Sequence, residues 1–146
     1  MYKTINENGF EYIESGEGPV IILLHGLMGG IDNFEGIIDE LPKIGFKVVG
    51  PILPLFKKPM LKTSISHFTK YVYDFIAFKG YKKITLLGNS LGGHISLVFA
   101  KKYPDLVKSL VLTGSSGLYE NSMGDSFPRR GDYEYIRKKT EEVFYD

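Results

Sequence analysis

Unbroken apolar runs alternate along the chain with stretches in which apolar residues recur every three or four positions, and this alternation predicts its elements. Val20 to Leu24 is apolar throughout and rich in β-branched residues, as expected for a strand covered on both faces. Ahead of it lie two short segments of mixed polarity, Lys3 to Ile5 and Phe10 to Glu14. The turn-forming stretch Ser15-Gly16-Glu17-Gly18-Pro19 follows them and reads as a hairpin connection. Asp32, with Glu35 three positions later, resembles a capping box, and Phe34, Ile37, Ile38 and Leu41 then repeat at helical spacing until Pro42 and Gly45. Phe46 to Val49 is a second buried strand. Ser64 to Lys79 predicts a helix with Ile65, Phe68, Val72, Phe75 and Ile76 on one face and Gly80 as its stop. A third strand spans Ile84 to Leu87, a third helix Leu91 to Tyr103 before Pro104, and a fourth strand lies within Leu106 to Leu112. Strands alternating with helices imply parallel pairing through crossovers, an α/β fold whose mostly parallel sheet carries helices on both faces. The Leu110-Val111-Leu112 core of the last strand is expected to be buried on both faces.

Composition narrows the function classes. With 43% hydrophobic and 24% charged residues and a net charge of +1, the chain is an ordinary globular domain, neither disordered nor membrane-spanning. Cysteine is absent, which excludes disulfides, thiolate metal sites and thiol nucleophiles. Met1 to Phe10 is polar and has the pattern of neither a secretory signal nor a transit peptide, so the expected location is cytoplasmic. Basic pairs such as Lys57-Lys58 and Arg129-Arg130 are dispersed and balanced by acids, so no nucleic-acid or membrane partner is expected. No ligand cluster or nucleotide motif is present, and neither a metal nor an organic cofactor is expected.

The candidate chemistry lies between the third strand and the third helix. Gly88-Asn89-Ser90-Leu91-Gly92 matches G-x-S-x-G in the strand-to-helix context that this motif requires. Glycines two before and two after the serine let strand and helix backbones approach, and Gly93 extends the small patch. Held on such a turn, the Ser90 hydroxyl projects above the carboxyl edge of the sheet, while the Leu91 N–H opens the helix towards the same spot. A second donor is expected from His25-Gly26-Leu27-Met28-Gly29-Gly30, through the N–H of Leu27. That stretch lacks the G-x-G-x-x-G spacing and the lysine of a phosphate cradle.

On the paired motifs at His25-Gly26 and Gly88 to Gly92, the sequence resembles the α/β-hydrolase superfamily, from the opening strands to Ser115. The resemblance implies that Ser90 is the nucleophile, that the amides of Leu27 and Leu91 are oxyanion donors, and that His25 shapes its loop. Asn89-Ser90 and Gly114-Ser115-Ser116-Gly117-Leu118 look most like the lidded branch that includes carbon–carbon bond hydrolases and small-molecule esterases. A serine at the elbow implies a substrate that presents a carbonyl.

One departure from the family pattern bears on activity. The catalytic order serine, acid, histidine places both partners after Ser90, yet the only histidine there is His94, inside the helix that leads away from the elbow. Asp105, Glu120, Asp125 and Asp132 match no acid position of the family. By resemblance, the chain is truncated after the sixth strand, with residues 1–118 forming the N-terminal part of the core and 119–146 the start of a lid, helical from Asp132. The expected function is hydrolysis of a small carbonyl substrate, an ester, by an acyl-enzyme on Ser90 in a longer protein, this chain being inactive by itself. The alternatives are a non-catalytic binding or scaffold module and a carbon–carbon bond hydrolase. Self-association, or pairing with a missing C-terminal segment, is expected along the open sheet edge. His67 and His94 read as structural, Tyr71, Tyr73, Phe75 and Phe78 as core and its margin, and Arg129 and Arg130 as solvated.

Overall fold

A computed structural model of the chain describes residues 2–27, 29–55, 64–118, 134 and 137. In chain order the strands are β1 (Ile5–Glu7), β2 (Phe10–Ser15), β3 (Val20–Leu24), β4 (Lys47–Pro51), β5 (Ile84–Asn89) and β6 (Val107–Thr113). The helices are α1 (Glu35–Glu40), between 3₁₀ turns at Ile31–Phe34 and Pro42–Ile44, then α2 (Ile65–Lys79) and α3 (Leu91–Lys102). The strands form a six-stranded sheet in the order β1-β2-β4-β3-β5-β6. Pairing is parallel from β4 through β3 and β5 to β6, and antiparallel where β1 and β2 extend the other side.

Alternation along the strands divides the core between the two faces. On one face Tyr12, Ile22, Leu24, Val49, Ile84 and Leu86 pack under Phe68, Val72, Phe75 and Ile76 of α2 and Ile95 and Phe99 of α3. On the other, Ile13, Ile21, Leu23, Val48 and Leu87 meet Ile31, Phe34 and Ile38. Helix α2 is delimited by local chemistry, since the Ser64 side chain accepts the His67 N–H at 3.2 Å and Gly80 ends the helix in the left-handed region at φ 70°. Its last turn is tied to the sheet by Lys79, which pairs with Glu14 at 2.8 Å and donates to the Tyr12 hydroxyl at 3.1 Å.

Three expectations are corrected. The hairpin turn is Asn8-Gly9 between β1 and β2, with φ of 48° and 79°. Residues 16–19 instead carry the chain from β2 to β3, which are separated by β4. Asp32 heads no capping box: it sits inside a 3₁₀ turn, and Phe34, which precedes α1, makes no side-chain cap. Finally, among the described residues β6 is covered on one face only. Leu110 packs on the α2 and α3 side, whereas Val111 is 42% exposed, because the short α1 and its turns cover β2, β3, β4 and Leu87 and stop before β6. The expected lid at 119–146, with Arg129 and Arg130, lies outside the described residues except for Glu134 and Arg137, which are helical and ion-paired at 3.0 Å.

Candidate functional site

The register of the central strands brings the two motifs together. Leu24 of β3 lies opposite Gly88 of β5, so His25-Gly26 and Asn89-Ser90 leave the carboxyl edge side by side. A methyl on Gly26 would lie 3.2 Å from the Ser90 Cβ and 3.4 Å from the Asn89 Oδ1. The turn at Ser90 has φ 52° and ψ −116°. Such a conformation in a residue other than glycine costs about 1–3 kcal/mol and persists where neighbours over-determine it.

The surrounding glycines meet that demand. A methyl on Gly88 would lie 2.5 Å from the Gly92 carbonyl oxygen and 2.6 Å from the Ser96 Oγ; one on Gly92 would overlap the Leu24 carbonyl and lie 2.8 Å from that of His25. Helix α3 thus rests its first turn directly on the backbone of β3 and β5. Hydrogen bonds complete the hold: the Ser90 N–H donates to the Thr113 carbonyl at 3.1 Å, and the Asn89 Nδ2 donates to the same carbonyl at 3.1 Å and to the Thr113 Oγ1 at 3.2 Å. A serine preceding a helix ordinarily caps it, but Ser90 makes no side-chain cap to α3 and is exposed, so its hydroxyl is not spent on the helix.

His25 is 3% exposed. Its Nε2 accepts the Leu53 N–H at 3.0 Å, which places the ring proton on Nδ1, 2.9 Å from the Gly26 carbonyl that receives it. Burial pushes the imidazole below its ordinary value of 6.5, against the pull of backbone hydrogen bonds at Gly26 and Gly29. The neutral ring therefore joins the chain after β4 to the loop after β3. Leu27 stands on that loop with 53% of its surface exposed. Leu91 is the first residue of α3, where backbone N–H groups have no acceptor within the helix.

The other two histidines and Asp105 are elsewhere. His67 is in the first turn of α2 with its ring at 73° to that of Phe68, 5.9 Å between centroids. The His94 ring packs against Gly117, where an added methyl would lie 2.6 Å from it. Asp105 is exposed beyond the far end of α3, a 12-residue helix and hence about 18 Å long. Glu120, Asp125 and Asp132 fall outside the described residues. Thr113 and Leu53 act on the elbow and its neighbouring loop through contacts distant in sequence, and no local pattern marks either one. Among the described residues there is no group of potential metal ligands and no helix long and apolar enough to cross a membrane.

The sequence profile described as alpha/beta hydrolase fold matches residues 19–141. The chain belongs to the α/β-hydrolase family. This α/β hydrolase is 46% identical to MGS-MChE2, an alpha/beta hydrolase enzyme from a sediment metagenome of the Mar Chica lagoon in Morocco, with a TM-score of 0.76 over 94% of this chain and 62% of that one. It is 32% identical, over 142 residues, to a 2-hydroxy-6-oxononadienedioate/2-hydroxy-6-oxononatrienedioate hydrolase of Comamonas testosteroni, covering 89% of this chain and 49% of that protein. Lipase 1 of Psychrobacter immobilis is 36% identical over 115 residues, 74% of this chain and 36% of the lipase. The chain thus spans between about a third and three fifths of these relatives' lengths.

Proposed function

We propose that Ser90 is the nucleophile of a serine hydrolase that cleaves small carbonyl substrates, esters foremost, through an acyl-enzyme. The observation that carries this reading is the strained backbone of Ser90 at the carboxyl edge of β5, with its hydroxyl uninvolved in capping and the Gly26 loop packed against it. In this reading the Ser90 Oγ attacks the carbonyl carbon and its proton passes to a base. The tetrahedral oxyanion is met by the N–H groups of Leu27 and Leu91; expulsion of the alcohol leaves an ester on Ser90, which water then hydrolyses. Both nitrogens of His25 are engaged, while His67 and His94 pack in their helices. We therefore assign the base and its orienting carboxylate to a part of the protein outside this chain, pairing along the outer edge of β6, and propose that the chain alone is inactive.

Fluorophosphonate labelling mapped by mass spectrometry, together with p-nitrophenyl acetate turnover, tests this on the intact protein, this chain and their Ser90→Ala variants. Labelling and turnover are expected in the intact protein and lost on substitution. Turnover surviving Ser90→Ala would remove the nucleophile assignment, and labelling of Ser90 in the isolated chain would remove the external base. The Comamonas relative favours a second reading, hydrolysis of a carbon–carbon bond beside a ketone. Product analysis with an ester and a vinylogous 1,5-diketone substrate separates the two.

A further inference from the structure

We infer that Ser116 is a positioning residue: from the loop after β6, it grips the carbonyl of the Ser90–Leu91 peptide and so aims the Leu91 N–H at the reacting carbonyl. This rests on the reading of Ser90 as nucleophile and Leu91 as oxyanion donor. A trans peptide is planar, with its C=O and N–H pointing in opposite directions, so whatever fixes the Ser90 oxygen also fixes the Leu91 hydrogen. That oxygen accepts two N–H groups, from His94 and from Ser116, each at 3.2 Å, with the Ser116 hydroxyl at 3.4 Å. The His94 bond is the ordinary first bond of α3. The Ser116 bonds come from a separate element, and the Ser90 N–H is bound to Thr113 at the end of β6. The strained residue is therefore held on both its backbone groups by β6 and the loop that follows.

The seat of this loop depends on two glycines. A methyl on Gly93 would lie 2.5 Å from the Ser115 Oγ and 2.6 Å from its Cβ, and one on Gly117, at φ 84°, would lie 2.6 Å from the His94 ring. Alanine is the better helix former at position 93, so glycine there answers to the loop and not to the helix. A donor that is misaimed weakens transition-state binding while leaving substrate binding in place, which lowers kcat and spares KM.

The experiment compares the intact protein with Ser116→Ala, Gly93→Ala and the double variant Gly93→Ala/Ser115→Gly. It reads p-nitrophenyl acetate kinetics and the Leu91 amide resonance after 15N-leucine labelling. Gly93→Ala is expected to lower kcat roughly tenfold or more with KM unchanged, a part of the 10²- to 10³-fold effect of losing a donor outright. The Leu91 resonance should move with it, and Ser115→Gly, by removing the two closest atoms and leaving only the Ser115 Cα at 3.0 Å, should recover part of both. Ser116→Ala should act in the same direction but less, because its N–H remains. A folded Gly93→Ala with an unmoved Leu91 resonance overturns the proposal, as does a moved resonance with unchanged kcat. If Gly93→Ala fails to fold, Ser116→Ala decides by the same two readouts. If the parent shows no turnover that depends on Ser90, the hydrolase reading fails, while the Leu91 resonance still decides whether Ser116 holds the peptide.

Discussion

Substituting Gly92 by alanine should destabilise the protein although the site is helical. Alanine in a helix is favoured over glycine by about 1 kcal/mol. Here the new methyl would overlap the Leu24 carbonyl in the centre of the sheet and lie 2.8 Å from that of His25. Helix α3 can retreat only by opening the packing of Ile95 and Phe99, both 0% exposed. Overpacking of this kind costs about 1–3 kcal/mol, and more where the neighbour is backbone and cannot rotate away. Net of the helix gain, a loss of about 2 kcal/mol is expected, which lowers Tm by about 4–8 °C for a chain of this size. Gly36→Ala in α1 is the matched control, because a methyl there meets nothing within 4 Å. It should gain about 0.5–1 kcal/mol. Thermal unfolding followed by circular dichroism, with urea midpoints as a second measure, compares the three proteins. A Gly92→Ala protein that melts at or above the parent would show that the contact between α3 and β3 is not the constraint described.

Three further outcomes are expected. Stability should fall as pH drops below 6.5, because the unfolded His25 takes a proton at its ordinary value while the buried ring resists it; His25→Gln should flatten that part of a pH series of urea midpoints. A second loss should begin below 4.5: burial alone would raise the Glu14 carboxyl, but Lys47 and Lys79 hold it low, so its contribution is present above 4.5 and lost as pH falls through the lowered value, and Glu14→Gln should remove this step. Lys79→Met takes away the pair with Glu14 and the bond to Tyr12, and should cost about 1–2 kcal/mol in a urea titration, an intermediate value because both side chains are mostly covered and Glu14 keeps Lys47.

What was legible in the sequence follows the range of the physics involved. Helix α2 was readable end to end because Ser64, Gly80 and the apolar face between them act within a turn or two of themselves. The strand–Ser90–helix turn was readable because glycines at 88 and 92 answer a local steric demand. The hairpin was misplaced because the glycines at 16 and 18 resemble turn formers. Both do take positive φ, 77° and 114°, but in a crossing connection and not in a hairpin, and they also serve a tertiary fit: a methyl on Gly16 would lie 2.8 Å from the Pro42 Cβ, and Gly18 abuts the Gly45 carbonyl. Asn8-Gly9 carries the stronger hairpin signal, since both residues tolerate positive φ. The exposure of β6 depends on how far α1 reaches across the sheet, which no local pattern encodes. The bonds from Leu53 to His25 and from Thr113 and Ser116 to the elbow join positions far apart in the chain, and they became visible only once the strand order was known.

That strand order also sets a timetable for the newborn chain. The hairpin of β1 and β2 closes within a few residues, and β4 can join β2 and β3 soon after, but β3 finds its other neighbour only when Ile84 to Gly88 has been made. At about 5–20 residues per second, a ribosome leaves that apolar strand half-paired for several seconds, a window in which it is open to chaperones or to another nascent chain. The strand that ends the wait is the one that delivers Ser90. A chain interrupted before β5 thus lacks both the second neighbour of β3 and the turn at Ser90, and in a pulsed hydrogen-exchange experiment the first protection of the amides of Ile22 to Leu24 would date the closure of the sheet's centre.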